Sequence, residues 1–401
     1  MLLYWIWLAE QKKLNIQQKQ WLLEHFRDPE DIYHASEEAL EAIEDMTPEI
    51  LSALEDKSLE AAEQIIKDCA AKGIRILTFG DTCYPARLRN TFDAPVVLYY
   101  RGILPDWEER PVLGIVGTRK ATLYGVNTAR RYGWQIAACG ALVVSGGASG
   151  IDTAALEGAL QTGSPVVAVL GCGVDVVYPR ANARLFDRIA EKGCLISEYP
   201  PGVQALGWHF PIRNRIITGM SNGLLVVEAP EKSGALSSAR HALEQGRDVY
   251  VVPGNVDSES CAGSNALLQE RAMAALSGWD AVKEYEAQYP GTVRRCKEKA
   301  EPLQVAQEPV IPTNDVKIKA KSDKKAIDKE ENSTYSVLNK PQPALTNVER
   351  DVLALITREG CLTDEVIARA DLPAGTVKSV LTKLTLKKLI VSHPGGRVSL
   401  K

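Results

Sequence analysis

The sequence predicts an α/β protein built on a parallel sheet, with a small helical domain ahead of it and a winged-helix unit behind. Three observations predict this. Short apolar runs alternate with helix-like segments through the middle of the chain; the first 78 residues carry apolar side chains at helical spacing; and the last 58 read as three helices followed by a hairpin. Apolar strands joined through helices pair in parallel and are covered on both faces.

The elements follow in order. Met1 to Ala9 is apolar and aromatic, too short to span a bilayer, and lacks the basic start and cleavage site of a secretory signal. It reads as the start of a buried helix. Between Glu37 and Ala71, Leu40, Ile43, Ile50, Leu51, Leu54, Leu59, Ile65 and Ile66 recur at helical spacing, and Thr47-Pro48 is a plausible N-cap with Pro at the first helical position. Strands are predicted at 112–116, 141–144, 165–170, 194–197, 224–227 and 248–252. Helices are predicted at 124–138, 152–160, 184–191, 213–220, 235–245 and 265–275. Residues 287–343 lose this rhythm, gain prolines and mix charges evenly, as a flexible linker does. From 344, Thr346 with Glu349 forms a capping box for a helix to about Arg358. Thr363 starts a second helix, Pro373 a third to about Lys388, and 389–392 pairs with 397–400 across a His393-Pro394-Gly395-Gly396 turn.

Composition narrows the function. The chain holds 47 basic and 51 acidic residues, a net charge of −4, so any polyanion must be met by local charge. The acid is concentrated early: residues 1–105 carry 11 basic against 18 acidic side chains, 106–300 balance at 20 each, and 344–401 carry 9 against 6. The eight cysteines include no CxxC pair, which argues against a zinc cluster and fits a reducing cytoplasm. No run approaches 18 apolar residues, so no membrane span is expected.

In a parallel sheet, ligands sit beyond the carboxyl ends of the strands. Here those positions hold Gly117-Thr118-Arg119-Lys120, Ser145-Gly146-Gly147-Ala148-Ser149-Gly150, Gly171-Cys172-Gly173, Lys232-Ser233-Gly234 and Pro253-Gly254-Asn255. Glycine lets the backbone approach a ligand, and helix N-termini offer free N–H groups, so the loops together form an anion-binding crest. Any one of these glycines also serves as an ordinary turn. No GxxxxGK[ST] is present, and Gly117-Thr118-Arg119 departs from the dinucleotide fingerprint. In Phe210-Pro211-Ile212-Arg213-Asn214-Arg215, arginine forks suit phosphate and the Phe ring suits an unpaired base. The competing reading buries Phe210 and pairs the arginines with Glu198 or Glu228. Among the histidines, His209 beside Phe210 is the one placed to touch a ligand, though a structural role fits it too. Asp152, at a helix start, reads better as a cap than as a general base.

These motifs, with Tyr84-Pro85 and Leu88, Ile115-Val116, Ile151-Asp152, Ile216-Ile217, Val227-Glu228-Ala229, Val252 before Pro253-Gly254-Asn255, and Gly263-Ser264-Asn265, make the chain resemble the DNA-processing protein A (DprA/Smf) family over about 80–285. The tail from Leu362-Thr363-Asp364 to Gly395-Gly396-Arg397 resembles the family's winged helix. The resemblance implies an extended Rossmann-like sheet at 79–286 between a small helical (SAM/HhH-like) domain at 1–78 and a linker at 287–343, with a winged-helix domain at 344–401. It also implies a cytoplasmic homodimer that binds single-stranded DNA, protects incoming strands in natural transformation and loads the RecA recombinase, with no cofactor and no catalysis of its own. The contacts expected are Gly117, Thr118, Arg119, Lys120, Ser145, Gly146, Gly147, Gly150, Phe210, Arg213, Asn214, Arg215, Lys232, Ser233, Gly234 and Gly254. Two departures stand out: Gly207 where some relatives have Lys, and Ser237-Ser238 where Thr-Ala is more usual. Two rival functions remain. A phosphoribohydrolase-like enzyme would need a Pro-Gly-Gly-x-Gly-Thr loop, which Pro253-Gly254-Asn255 breaks. A winged-helix regulator of duplex DNA would read through Lys378, Lys383, Lys387 and Lys388.

Overall fold

A computed structural model describes residues 1–296 except Arg27, and from 352 onward a subset that includes 361–370 and most of 389–400. The chain divides into two compact units, 1–308 and 309–401.

The first unit opens with helices α1 (Leu2–Ala9), α2 (Ile16–His25), α3 (Pro29–His34), α4 (Glu37–Glu41), α5 (Pro48–Leu54) and α6 (Glu60–Ala71). Trp5, Ile6, Trp7 and Leu8 of α1 are buried, so the apolar start is a core helix. Sequence-encoded caps set the breaks: Asn15, Asp28, Ser36 and Thr47 each accept a first-turn backbone N–H.

The helical region ends at Ala71, earlier than expected. Arg75–Thr78 is strand β1, and it pairs antiparallel with β2 (Val97–Gly102). Neither strand was expected. The remaining elements alternate: β3 (Val112–Val116), α8 (Leu123–Ala138), β4 (Leu142–Ser145), α9 (Ile151–Leu160), β5 (Val166–Val169), α10 (Ala183–Lys192), β6 (Cys194–Ser197), α11 (His209–Met220), β7 (Gly223–Val226), α12 (Gly234–Glu244), β8 (Asp248–Val251), α13 (Ala262–Glu270) and β9 (Met273–Ala274), after a short α7 (Ala86–Arg89). The helix expected at 265–275 is thus α13 followed by a strand.

The nine strands lie in the order β1-β2-β6-β5-β4-β3-β7-β8-β9. From β6 to β9 every pair is parallel; β1 and β2 are the antiparallel exceptions. Strand side chains alternate between two cores. Leu113, Ile115 and Val143 pack with α8, α9 and α10, while Val112, Val116, Leu142 and Val144 pack with α11 and α12. Each such side chain removed from water contributes about 1.5–3 kcal/mol. The folded unit also runs past 286. Tyr289 and Val293, expected in the linker, are buried, because the Tyr289 hydroxyl accepts a hydrogen bond from Arg87 and the Arg294 N–H donates to the Cys139 carbonyl.

The second unit has a three-stranded antiparallel sheet, ordered β10 (Cys361–Leu362), β12 (Arg397–Leu400), β11 (Ile390–His393), with α14 (Thr363–Arg369) after β10. Val377, Val380, Leu381 and Leu384 are buried in its core with Val352 and Val366. The linker from 297, the Thr346–Glu349 box, Pro373, the 394–396 turn, and Lys378, Lys383, Lys387 and Lys388 lie outside the described residues.

Candidate nucleic-acid interface

The chain lays down β3, works outward through β4, β5 and β6, then crosses back to place β7 on the other side of β3. The loops leaving β3 and β7 therefore diverge, and such a switch point opens a crevice at the carboxyl ends of the strands. A cleft of about 450 Å³ occupies it. The first turns of α9, α11 and α12 supply Asp152, Phe210 and Gly234 to its lining, so three helix N-termini converge there.

Glu228, just past β7, sets the crest's shape. It is almost fully buried and accepts hydrogen bonds from the Thr122 N–H (2.9 Å), the Thr122 hydroxyl (2.8 Å) and the Ser260 hydroxyl (2.7 Å), while its carbonyl receives the Thr118 N–H (2.7 Å). Thr122 in turn caps α8. A Cβ at Gly125 would collide with this carboxylate. Thr118 is buried, and its hydroxyl accepts the Lys120 N–H at 3.2 Å, so it braces the loop from within.

Arg119, Lys120 and Lys232 are exposed on this cleft and, among the described residues, form no salt bridge. The Arg119 guanidinium lies 4.5 Å from the centre of the Phe210 ring. Tyr178, 45% exposed, stands 5.4 Å from the same ring at a 36° tilt. Phe210 is half-buried and shared between them.

The other predicted contacts sort by burial. Gly117, Asn214, Ser233 and Gly234 line the cleft; Ser233 caps α12 and Asn214 reaches the Gly234 carbonyl. Arg213 is on the floor, buried, with its guanidinium donating to the carbonyls of Gly146 (2.6 Å) and Val169. Its neighbour Asp152 is also buried. Burial pushes that carboxyl up to about 6, against the pull of Arg213 and the Ala148 N–H, and burial lowers Arg213 to about 10. Gly146 gives this pair its room, since a Cβ there would fall 2.5 Å from both side chains.

Five of the expected contacts lie elsewhere. Arg215 does not reach the crest: it is 6% exposed, holds Glu198 through two hydrogen bonds (2.6 and 2.7 Å) and faces Asp93. Ser145 is fully buried and donates to the Ile115 carbonyl. Gly147 and Gly150 have positive φ (64° and 83°) and shape the turn into α9 without lining the cleft. Gly254 is closed off by reciprocal bonds with Asn265. His209 is likewise structural, stacked on Tyr199 and bonded to the Gly171 carbonyl. The sequence reading missed Tyr178 and the bracing role of Glu228. An aromatic in the loop after β5 was the available signal for the first.

Residues 75–286 match the family model described as DNA recombination-mediator protein A, and 338–396 match the DprA winged helix domain. DNA processing protein DprA of Streptococcus pneumoniae is 43% identical over 206 residues, covering 51% of this chain and 72% of that protein. Protein Smf of Synechocystis is 30% identical over 403 residues, covering 98% of this chain and 97% of the other. The X-ray structure of DNA processing protein A from Streptococcus pneumoniae superposes with a TM-score of 0.60 at 32% identity, covering 70% of this chain and 97% of that one.

Proposed function

The chain belongs to the DprA/Smf family of DNA recombination-mediator proteins, and from that premise we propose that it binds single-stranded DNA along the crest at the β3–β7 switch point and hands the bound strand to the RecA recombinase. One observation carries the binding reading. A guanidinium, a phenyl ring and a phenol form one surface, Arg119–Phe210–Tyr178, flanked by Lys120 and Lys232, which have no salt-bridge partner among the described residues. Cations and helix N-termini take phosphates; the aromatic surface takes a base, and only an unpaired strand offers a base face. Each stacked base contributes about 1–3 kcal/mol, and each neutralised phosphate on a single strand adds about −0.7 to the salt slope.

The reading is of a binder without catalysis. The carboxylates nearest the cleft are held inside the protein: Asp152 by the Ala148 N–H beside the Arg213 charge, and Glu228 by Thr122 and Ser260. We further propose a homodimer through the open edge of the sheet. β9 ends the sheet with Met273 (40% exposed) and Leu276 (77% exposed) beside it, and an unpaired apolar edge is a surface that a second copy covers.

The test is a titration of labelled oligo-dT and of a matched duplex across salt, with Arg119→Ala alongside. Tighter single-strand binding with a salt slope that flattens in the variant supports the reading. Equal affinity for both forms, or an unchanged slope, overturns it.

A further inference from the structure

On the other flank of α11's first turn lies a second cleft of about 560 Å³. Trp208 and Ile212 form its wall, and Tyr199 with the Arg215–Glu198 pair forms its floor. Pro211 lines both this cleft and the crest, so the two meet across its ring. Successive helical residues turn by about 100°, so side chains two apart point to opposite flanks. That places Phe210 on the crest and Trp208 on the second cleft.

Trp208 is 60% exposed, whereas every other tryptophan of the chain is buried or half-buried. Its indole is nonetheless held in place. It stands edge-on to His209 with ring centres 4.1 Å apart, and His209 is fixed beneath it by Tyr199 at 3.9 Å and the Gly171 carbonyl at 3.0 Å. Gly207, just before it, opens onto free space. The result is an exposed π-face beside the crest, backed by the His209 ring.

The charges of this cleft separate its role from the crest's. Arg215 is paired to Glu198 (2.6 Å) and faces Asp93 (3.8 Å), and Lys19 donates to the Ala9 carbonyl. Two cations are thus set against two carboxylates, so the floor does not attract phosphate. An aromatic wall over a charge-balanced floor suits the flat, uncharged face of a base.

We propose that a single strand crosses the Pro211 ridge with its phosphates on the crest and lays a base against Trp208, making that residue a second stacking platform. This rests on the single-strand reading above, and the experiment separates the two. The full chain is titrated with labelled oligo-dT of roughly 5 and roughly 16 nucleotides, spanning the usual site sizes, while tryptophan emission is followed. The unaltered chain binds both, and the longer strand quenches emission. Trp208→Ala removes the quench and weakens the longer strand about fivefold or more, leaving the shorter one and the thermal midpoint unchanged. Trp208→Phe restores most of the affinity without the quench. Undiminished quenching in Trp208→Ala, unchanged affinity for the longer strand, or equal weakening at both lengths overturns the proposal. Failure of the unaltered chain to bind either oligonucleotide sinks the single-strand reading and this inference with it.

Discussion

The Arg119 guanidinium lies over the Phe210 ring, 4.5 Å from its centre, although one comes from the loop after β3 and the other from the first turn of α11. The pairing makes the proposed phosphate contact and the proposed base platform one unit. A cation over a phenyl ring contributes about 0.5–2 kcal/mol and orients both partners. Arg119→Ala and Phe210→Ala should therefore be non-additive in a double-mutant cycle on oligo-dT, with a coupling of about 0.5–1 kcal/mol. Arg119→Ala alone should also reduce the salt slope by about 0.7. Additive losses in binding titrations would show that the two act separately.

Arg215 predicts the opposite pattern. Its guanidinium is committed to Glu198 and the Asp93 carbonyl inside the protein. Arg215→Ala leaves Glu198 and Asp93 uncompensated, and breaking a buried pair from one side costs about 3 kcal/mol or more. Denaturant unfolding should show that loss, whereas the oligo-dT salt slope of the folded variant should match the unaltered chain.

The contrast between Arg213 and Arg215 marks where the sequence stops being legible. Two arginines two positions apart beside Phe210 look equivalent in a motif, yet the helix sends one beneath the crest and the other to the opposite flank. Only the positions of Gly146, Val169 and Glu198 decide which carbonyl or carboxylate each meets. The parallel core was legible because β3 to β8 are apolar runs between amphipathic helices. β1 and β2 were missed because an antiparallel pair at the sheet's edge lies outside that rhythm. β9 was absorbed into a predicted helix because α13 ends at Arg271 with φ of 134°, without the glycine or proline that normally signals a stop.

The sheet's open edge gives a test of association. Leu276→Asp places a charge on the exposed apolar surface beside β9 while leaving the buried core untouched. Sedimentation of the unaltered chain should report a dimer and that of the variant a monomer with an unchanged thermal midpoint. A monomer in both cases refutes the proposed interface, as does a dimer in both.

Asp152 should make the proposed interface sensitive to mild acid. Its ordinary value is 3.8 and burial raises it to about 6 in the folded protein. The folded state therefore binds the proton more tightly than the unfolded one. Its contribution to stability is complete below about pH 4 and is lost as pH rises through about 6. Single-strand binding should follow the same proton. The ionised carboxylate offsets the charge of Arg213 beneath the crest, while the neutral acid leaves that buried positive charge uncompensated below the proposed strand path. Single-strand affinity should accordingly tighten as pH falls from 7.5 to 5.5, by about 1 kcal/mol or roughly fivefold. Asp152→Asn fixes the neutral state, so it should bind at pH 7.5 about as tightly as the unaltered chain does at pH 5.5, with no further change between them. Its unfolding midpoint should also lose the decline that the unaltered chain shows between pH 4 and 6. Parallel pH profiles for the two proteins, in binding and in melting, would place the titrating group elsewhere.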